Sequence, residues 1–323
     1  MHTPLKRPWR ELGLPALLLA ASTVTTTAIG ARFMQNFLDG LPTVAAESDL
    51  WPWPWLLHDP SRFLLGWPFS LALLGILLTH EFGHYFACRA HGIPASLPFV
   101  LPAPTLSGTL GAVIRIRGSI SSRRALMDIG AFGPIAGYAA SLVVIAIGFL
   151  LSRPIHAGLA LPNLALSGLA PSAQLIDFGQ PLTLGLIHRA LLPLHPGIPA
   201  FALGLRHPVL IAGWVGLFVT SLNLIPGGQL DGGHILYALS PRIHHSLRWL
   251  LPATLVLLGL FYWLGWLLWG LVLLIPAMRH PTVAAEAPLP PSRKLIAAIT
   301  LLLFVLTFSL QPFAGSSILQ YFR

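Results

Sequence analysis

The run LLTHEFGHYFACRAHG, residues 77–92, sets two histidines four positions apart with a glutamate directly after the first. On a helix, positions i and i+4 lie one above the other, so His80 and His84 can turn imidazole nitrogens toward one ion at about 2.0–2.1 Å. Glu81 then stands beside that ion without having to bind it. A metal held in this way lowers the pKa of a bound water toward about 7, while a neighbouring carboxylate takes its proton and later delivers it to a leaving amine. That is peptide hydrolysis without a covalent intermediate. The pattern is not decisive alone, and the bland alternative is that His80 to Arg89 opens a cytoplasmic loop.

Two histidines leave a catalytic zinc one protein ligand short of the usual three. In TSLNLIPGGQLDGGHILYAL, residues 220–239, Asp231 is the sole carboxylate between Asp177 and Glu286. A single acid among glycines at the edge of an apolar segment is a candidate third ligand; alternatively, it caps a helix starting near Gly232. His91 and His234 flank the two motifs and read either as residues that tune the pocket or, the favoured reading, as boundary residues with polar tips reaching water. Asp128 reads as a neutralising partner for one of Arg115, Arg117, Arg123 and Arg124.

The elements that must position these residues are membrane helices. Of 323 residues, 55% are hydrophobic and 9% charged, against about 25% charged in an ordinary soluble domain. Uncharged or nearly uncharged windows at residues 12–31, 63–79, 129–152, 208–226, 249–278 and 295–309 reach or approach the roughly 17–25 apolar residues that cross a bilayer. The window at 249–278 is long enough for one steep helix or, the favoured reading, two short helices turning near Tyr262 to Gly265. The expectation is an all-α membrane protein of six to seven transmembrane helices, its first segment a retained anchor because the run exceeds a signal core.

With seven crossings and the N-terminus inside, 13 of the 19 lysines and arginines fall on the inner side, as the positive-inside rule requires. The net charge of +9 therefore needs no nucleic acid, and attraction to inner-leaflet lipid accounts for it. The single Cys88 excludes an internal disulfide framework and reads as a packing residue. Trp51, Trp53 and Trp55 read as an interfacial belt.

Prolines and glycines between Pro94 and Arg124 break helices, and residues 112–117 alternate in strand fashion. This predicts a short re-entrant β-hairpin or strand beside the first motif. Residues 153–206 form a mixed, proline-broken loop without the alternating strands of an inserted PDZ domain. The chain divides into an anchor helix and outer loop over 1–62, a core over 63–281, and a linker with a last transmembrane helix over 282–323.

The pairing of HEFGH with a later NLIPGGQLDGG resembles the site-2 protease family of intramembrane zinc metalloproteases, and AFGPIAG, residues 131–137, is similar to that family's glycine-proline segment. The resemblance covers about residues 63–281 and is to the compact branch without a PDZ domain, which has bacterial and chloroplast members. It implies Zn2+ held by His80, His84 and Asp231, with Glu81 as general base and acid. Asn223 matches the asparagine of the second motif, where its amide holds the substrate carbonyl or oxyanion or packs against a helix break.

The implied substrates are transmembrane proteins or peptides, whose helical backbone must open before it can be cut. Gly111, Ala112, Val113 and Ile114 offer a strand edge to receive it by β-addition. The expected location is the bacterial inner membrane, with an organellar membrane as alternative; the sequence does not fix oligomeric state. Two other functions fit part of the pattern: a membrane zinc transporter, and an inactive relative that binds membrane segments without cutting.

Overall fold

In the computed structural model the apolar windows become helices, and the proline- and glycine-rich stretch after the first motif becomes a hairpin. The structure describes residues 8–120, 122–154, 176, 178–201, 204–278, 280–281, 283, 288–313 and 317. Lys6, Arg7, Arg279, Glu286 and much of the 153–206 loop lie outside these.

Helix α1 (Pro8–Leu38) is followed by the short α2 (Trp53–His58) and by α3 (Trp67–Ala90). Pro68 sits in the first turn of α3, where its missing N–H leaves nothing unsatisfied. The helix runs past the expected boundary at Thr79 and carries the whole first motif, so the cytoplasmic-loop alternative falls. It ends at Ala90, and Gly92 turns the chain at φ +68°, a conformation that glycine adopts without a Cβ clash.

Strands β1 (Phe99–Pro102) and β2 (Thr109–Val113) pair antiparallel, Phe99 opposite Val113 and Val100 opposite Ala112. The strand starts and ends earlier than its expected span of 112–117: Ile114 lies just beyond it, and Ile116 makes only an isolated bridge to Ala95. On its far side β1 lies against α1, where Ser22 Oγ donates to the Val100 carbonyl at 3.0 Å and Thr25 Oγ1 to the Gly108 carbonyl at 2.6 Å. Backbone polar groups in an apolar setting need such partners, and α1 supplies them, leaving β2 as the outer strand.

Helix α4 (Arg123–Leu151) begins at Ser122, whose side chain accepts from the Ala125 N–H, and packs extensively on α3. Beyond β3 (Arg153–Pro154), α5 (Leu182–Leu191) and β4 (Gly204–Leu205), helix α6 (Pro208–Asn223) lies along α4. A tight turn leads into α7 (Asp231–Leu239), and α8 (Pro241–Phe261) and α9 (Leu264–Leu274) form the expected helical hairpin, turning at Tyr262 and Trp263. Helix α10 (Pro291–Thr307) closes the described chain. Phe33, Phe69, Leu73, Phe149 and Trp214 form the main core between α1, α3, α4 and α6. Among the described residues, four helices are long and apolar enough to cross a membrane, spanning Leu12–Leu38, Pro60–Ala90, Arg123–Leu151 and Pro241–Phe261.

Several charged residues stand elsewhere than expected. Arg32 belongs to α1 and not to an outer loop; its Nε donates to the buried Asp49 at 2.6 Å. Asp128 does not meet Arg115, Arg117, Arg123 or Arg124: it pairs with His91 at 2.9 Å and with Arg293 of α10 at 2.8 Å. Arg123 instead donates to the Ala238 and Leu239 carbonyls, both at 2.7 Å, where the last carbonyls of α7 attract a cation. Cys88 is buried among apolar side chains, as expected of a packing residue.

Candidate metal centre

His80 and His84 point from α3 toward α4 with their Nε2 atoms 3.0 Å apart. Asp231, at the start of α7 and 147 residues beyond His84 in the chain, brings Oδ2 to 3.3 Å from each of those nitrogens. That oxygen is buried and has no hydrogen-bond partner. Tetrahedral ligands at about 2.0–2.1 Å from zinc stand roughly 3.3 Å from one another, so two imidazoles and an orphaned carboxylate oxygen fit a zinc ion by donor type and by spacing. The capping alternative for Asp231 falls, because Leu230 occupies the N-cap and no side-chain cap is made.

Glu81 also lies close: ligand atoms of His80, Glu81 and His84 all fall within 4.8 Å of one another. Asp231 is the better candidate for a third ligand, since its oxygen sits equally near both rings. Glu81 borders a cavity of about 240 Å³ together with His80, His84 and Asp231. Ala112, Val113 and Ile114 line that cavity as well, so the end of β2 stands across from the metal ligands; Gly111, further back in the strand, is not part of the wall. Asn223, the last residue of α6, places Nδ2 3.3 Å from His80 Nε2.

The approach of α3 and α4 depends on glycines. A Cβ on Gly133 would overlap the His84 ring, one on Gly137 would lie 2.8 Å from His80 Nδ1, and one on Gly83 would overlap the Phe132 carbonyl. The glycine-proline segment is thus the cradle for the two rings. His84 Nδ1 lies 2.6 Å from the Ile129 carbonyl, a contact that fixes the ring and leaves Nε2 for the metal. Pro134, inside α4, cannot donate to the Gly130 carbonyl and so loosens the helix at this turn.

Sequence reasoning missed the ring-bearing role of Gly133 and Gly137, although glycines at 130, 133 and 137 follow a helical face. For His234 the less favoured reading holds: it lines the cavity and bonds His280 Nε2 through Nδ1 at 2.8 Å, while His91 holds Asp128, a partner the sequence did not indicate. Burial keeps the His280 imidazole below its ordinary pKa.

Residues 68–262 match peptidase family M50. The chain belongs to peptidase family M50. This is the site-2 protease family that the two motifs resemble, and its matched region contains every candidate site residue. The M50 chain is 34% identical over 244 residues to "Probable zinc metalloprotease EGY1, chloroplastic" of Arabidopsis thaliana, covering 74% of this chain and 42% of that protein. It is 29% identical over 251 residues to "Probable zinc metalloprotease EGY2, chloroplastic" of the same plant, covering 74% and 40%. The chain thus spans less than half the length of these relatives. No solved structure matches it. Family and relatives together imply Zn2+ as the cofactor, and with the long apolar helices they mark this chain as an integral membrane member of a metalloprotease family.

Proposed function

We propose that this M50 chain hydrolyses peptide bonds within or near transmembrane segments of membrane-protein substrates, in the manner of a site-2 protease. The observation that carries the reading is the convergence of His80 Nε2, His84 Nε2 and Asp231 Oδ2 from two remote segments. Zinc bound there supplies Lewis-acid polarisation of the scissile carbonyl and acidifies the attacking water. Glu81 accepts the proton of that water as its oxygen bonds to the carbonyl carbon. The same carboxyl then gives the proton to the departing nitrogen, so the C–N bond breaks to an amine and a carboxylic acid, which loses the second water proton to solvent.

Asn223 donates its side-chain N–H toward the oxygen on which charge develops, a role suited to a preorganised amide. The opened substrate adds to the outer edge of β2 near Gly111, Ala112, Val113 and Ile114, main-chain bonds replacing those lost from its own helix. The burial of β1 against α1 supports this, because it leaves β2 as the strand available for pairing beside the metal ligands.

The wider reading follows from the same chemistry. Six to seven crossings result if α6, the α8–α9 hairpin and α10 span lipid together with the other long helices. The anchor and outer loop over 1–62, the core over 63–281 and the linker and last helix over 282–323 are its parts. Partners are transmembrane substrates and the bilayer, not nucleic acid. The N-terminus faces the cytoplasm of a bacterial cell, or the equivalent side of an organelle in view of the chloroplastic relatives.

The test is the full chain in lipid, with bound zinc quantified and a transmembrane peptide as substrate. Wild type should cut, Glu81→Gln should keep zinc and stop cutting, and Asp231→Ala should lose zinc. Zinc movement across vesicles with the peptide left whole would overturn the reading.

A further inference from the structure

A second cavity, of about 700 Å³, opens between the Pro226–Gly228 turn, Tyr237 of α7, the first half of α8 and the end of α9. Its floor is apolar: Leu251 and Pro252 of α8, Leu273 and Leu274 of α9, and Met278. Two arginines of α8, Arg242 and Arg248, stand in its wall, and no aspartate or glutamate lines it. Neither arginine has a carboxylate partner among the described residues.

The histidines nearby do not make a second metal site. His280 bonds His234 through Nε2 and approaches the Pro281 carbonyl through Nδ1 at 2.7 Å, while His244 Nε2 meets the Gly228 carbonyl at 3.3 Å. Among the described residues the metal-holding cluster at His80, Glu81 and His84 has no counterpart here. What the cavity offers is fixed positive charge above an apolar slot.

We propose that this cavity binds an anionic phospholipid, its phosphate between Arg242 and Arg248 and one acyl chain along Leu251, Leu273 and Leu274. The position of the charges supports a lipid over a soluble anion. Helix α8 is one of the four long apolar helices, and both arginines fall in its first turns, with the Arg248 guanidinium over the exposed Trp249 ring at 5.1 Å. Arg248 and Trp249 stand two turns into α8, and every later residue of the helix is uncharged, so they mark the level where headgroups meet hydrocarbon. A guanidinium matches phosphate with paired donors, and anionic headgroups draw basic residues at this depth. A zwitterionic lipid would bring its own ammonium beside two arginines in a wall without a carboxylate, and free phosphate would leave the apolar floor uncovered.

The full chain in nanodiscs of equal phosphatidylglycerol and phosphatidylcholine, released into mild detergent and weighed intact, tests this. Wild type should retain phosphatidylglycerol in marked preference to phosphatidylcholine. R242Q/R248Q should lose that retention by roughly tenfold or more, while R242K/R248K, which keeps the charge but not the paired donors, should lose less. Leu274→Trp, with both arginines intact, fills the floor and should also release the lipid, and millimolar inorganic phosphate should not displace it. Equal retention of the two lipids, full retention of phosphatidylglycerol by R242Q/R248Q, or its displacement by inorganic phosphate would overturn the assignment. Circular dichroism of each variant separates lipid loss from unfolding, and a folded R242K/R248K that binds as wild type does still requires R242Q/R248Q to fail.

Discussion

Glu81 and Asp231 are both carboxylates beside the same pair of imidazoles, and their surroundings separate their tasks. Asp231 Oδ2 is 3.3 Å from both Nε2 atoms and has no hydrogen-bond partner, an arrangement that is costly for a buried charge unless a cation completes it. Glu81 instead faces the cavity wall formed by the end of β2. Glu81→Gln keeps the volume and removes proton transfer, so kcat for peptide cleavage should fall by about 10²–10⁴ while zinc per chain stays at the wild-type value. Asp231→Ala leaves two imidazoles to hold the ion, and zinc measured after dialysis should fall well below one per chain. Should the first substitution strip the metal and the second spare it, the two roles are exchanged.

At the scale of the element, the site exists because α4 comes within van der Waals reach of the α3 rings. Gly133→Ala puts a methyl group where the His84 ring lies, and zinc retention and cleavage should both drop. Gly75→Ala, whose added Cβ meets nothing within 4 Å, should leave both unchanged. In the hairpin, Val113→Pro and Ile114→Pro each remove a backbone donor at the wall of the cavity. Cleavage of a transmembrane peptide should fall by roughly tenfold or more with zinc retained, and unchanged cleavage would remove β2 from the substrate path.

How much of this was legible varied with the range of the interaction. His80 and His84 were readable because a four-residue spacing is local helix geometry, and Asp231 because it is isolated among apolar residues. The helical hairpin turning at Tyr262 and Trp263 was readable from segment length. The partners of Asp128 were not, because His91 and Arg293 lie 37 and 165 residues away, and charge balance within a loop pointed to nearer arginines. The true extent of β2 was also hidden: alternation marks a strand, but pairing with Phe99–Pro102 and the contact of that strand with α1 decide where it ends.

On the scale of the whole molecule, the last described helix is tied to the metal-bearing pair by one ion cluster. Asp128 lies next to Ile129, whose carbonyl meets His84 Nδ1, and it is held by His91 at the end of α3 and by two nitrogens of Arg293 at 3.1 and 2.8 Å. Helix α10 is thereby placed to fix the register of α4 against α3 from outside the candidate site. Removing one partner of a buried carboxylate leaves its charge uncompensated, so Arg293→Ala should lower the apparent melting temperature in detergent and weaken zinc retention together. Arg293→Lys keeps the charge but not the paired donors and should restore only part of each. If Arg293→Ala lowers the melting temperature while zinc affinity and cleavage stay at wild-type values, α10 stabilises the bundle without positioning the metal centre.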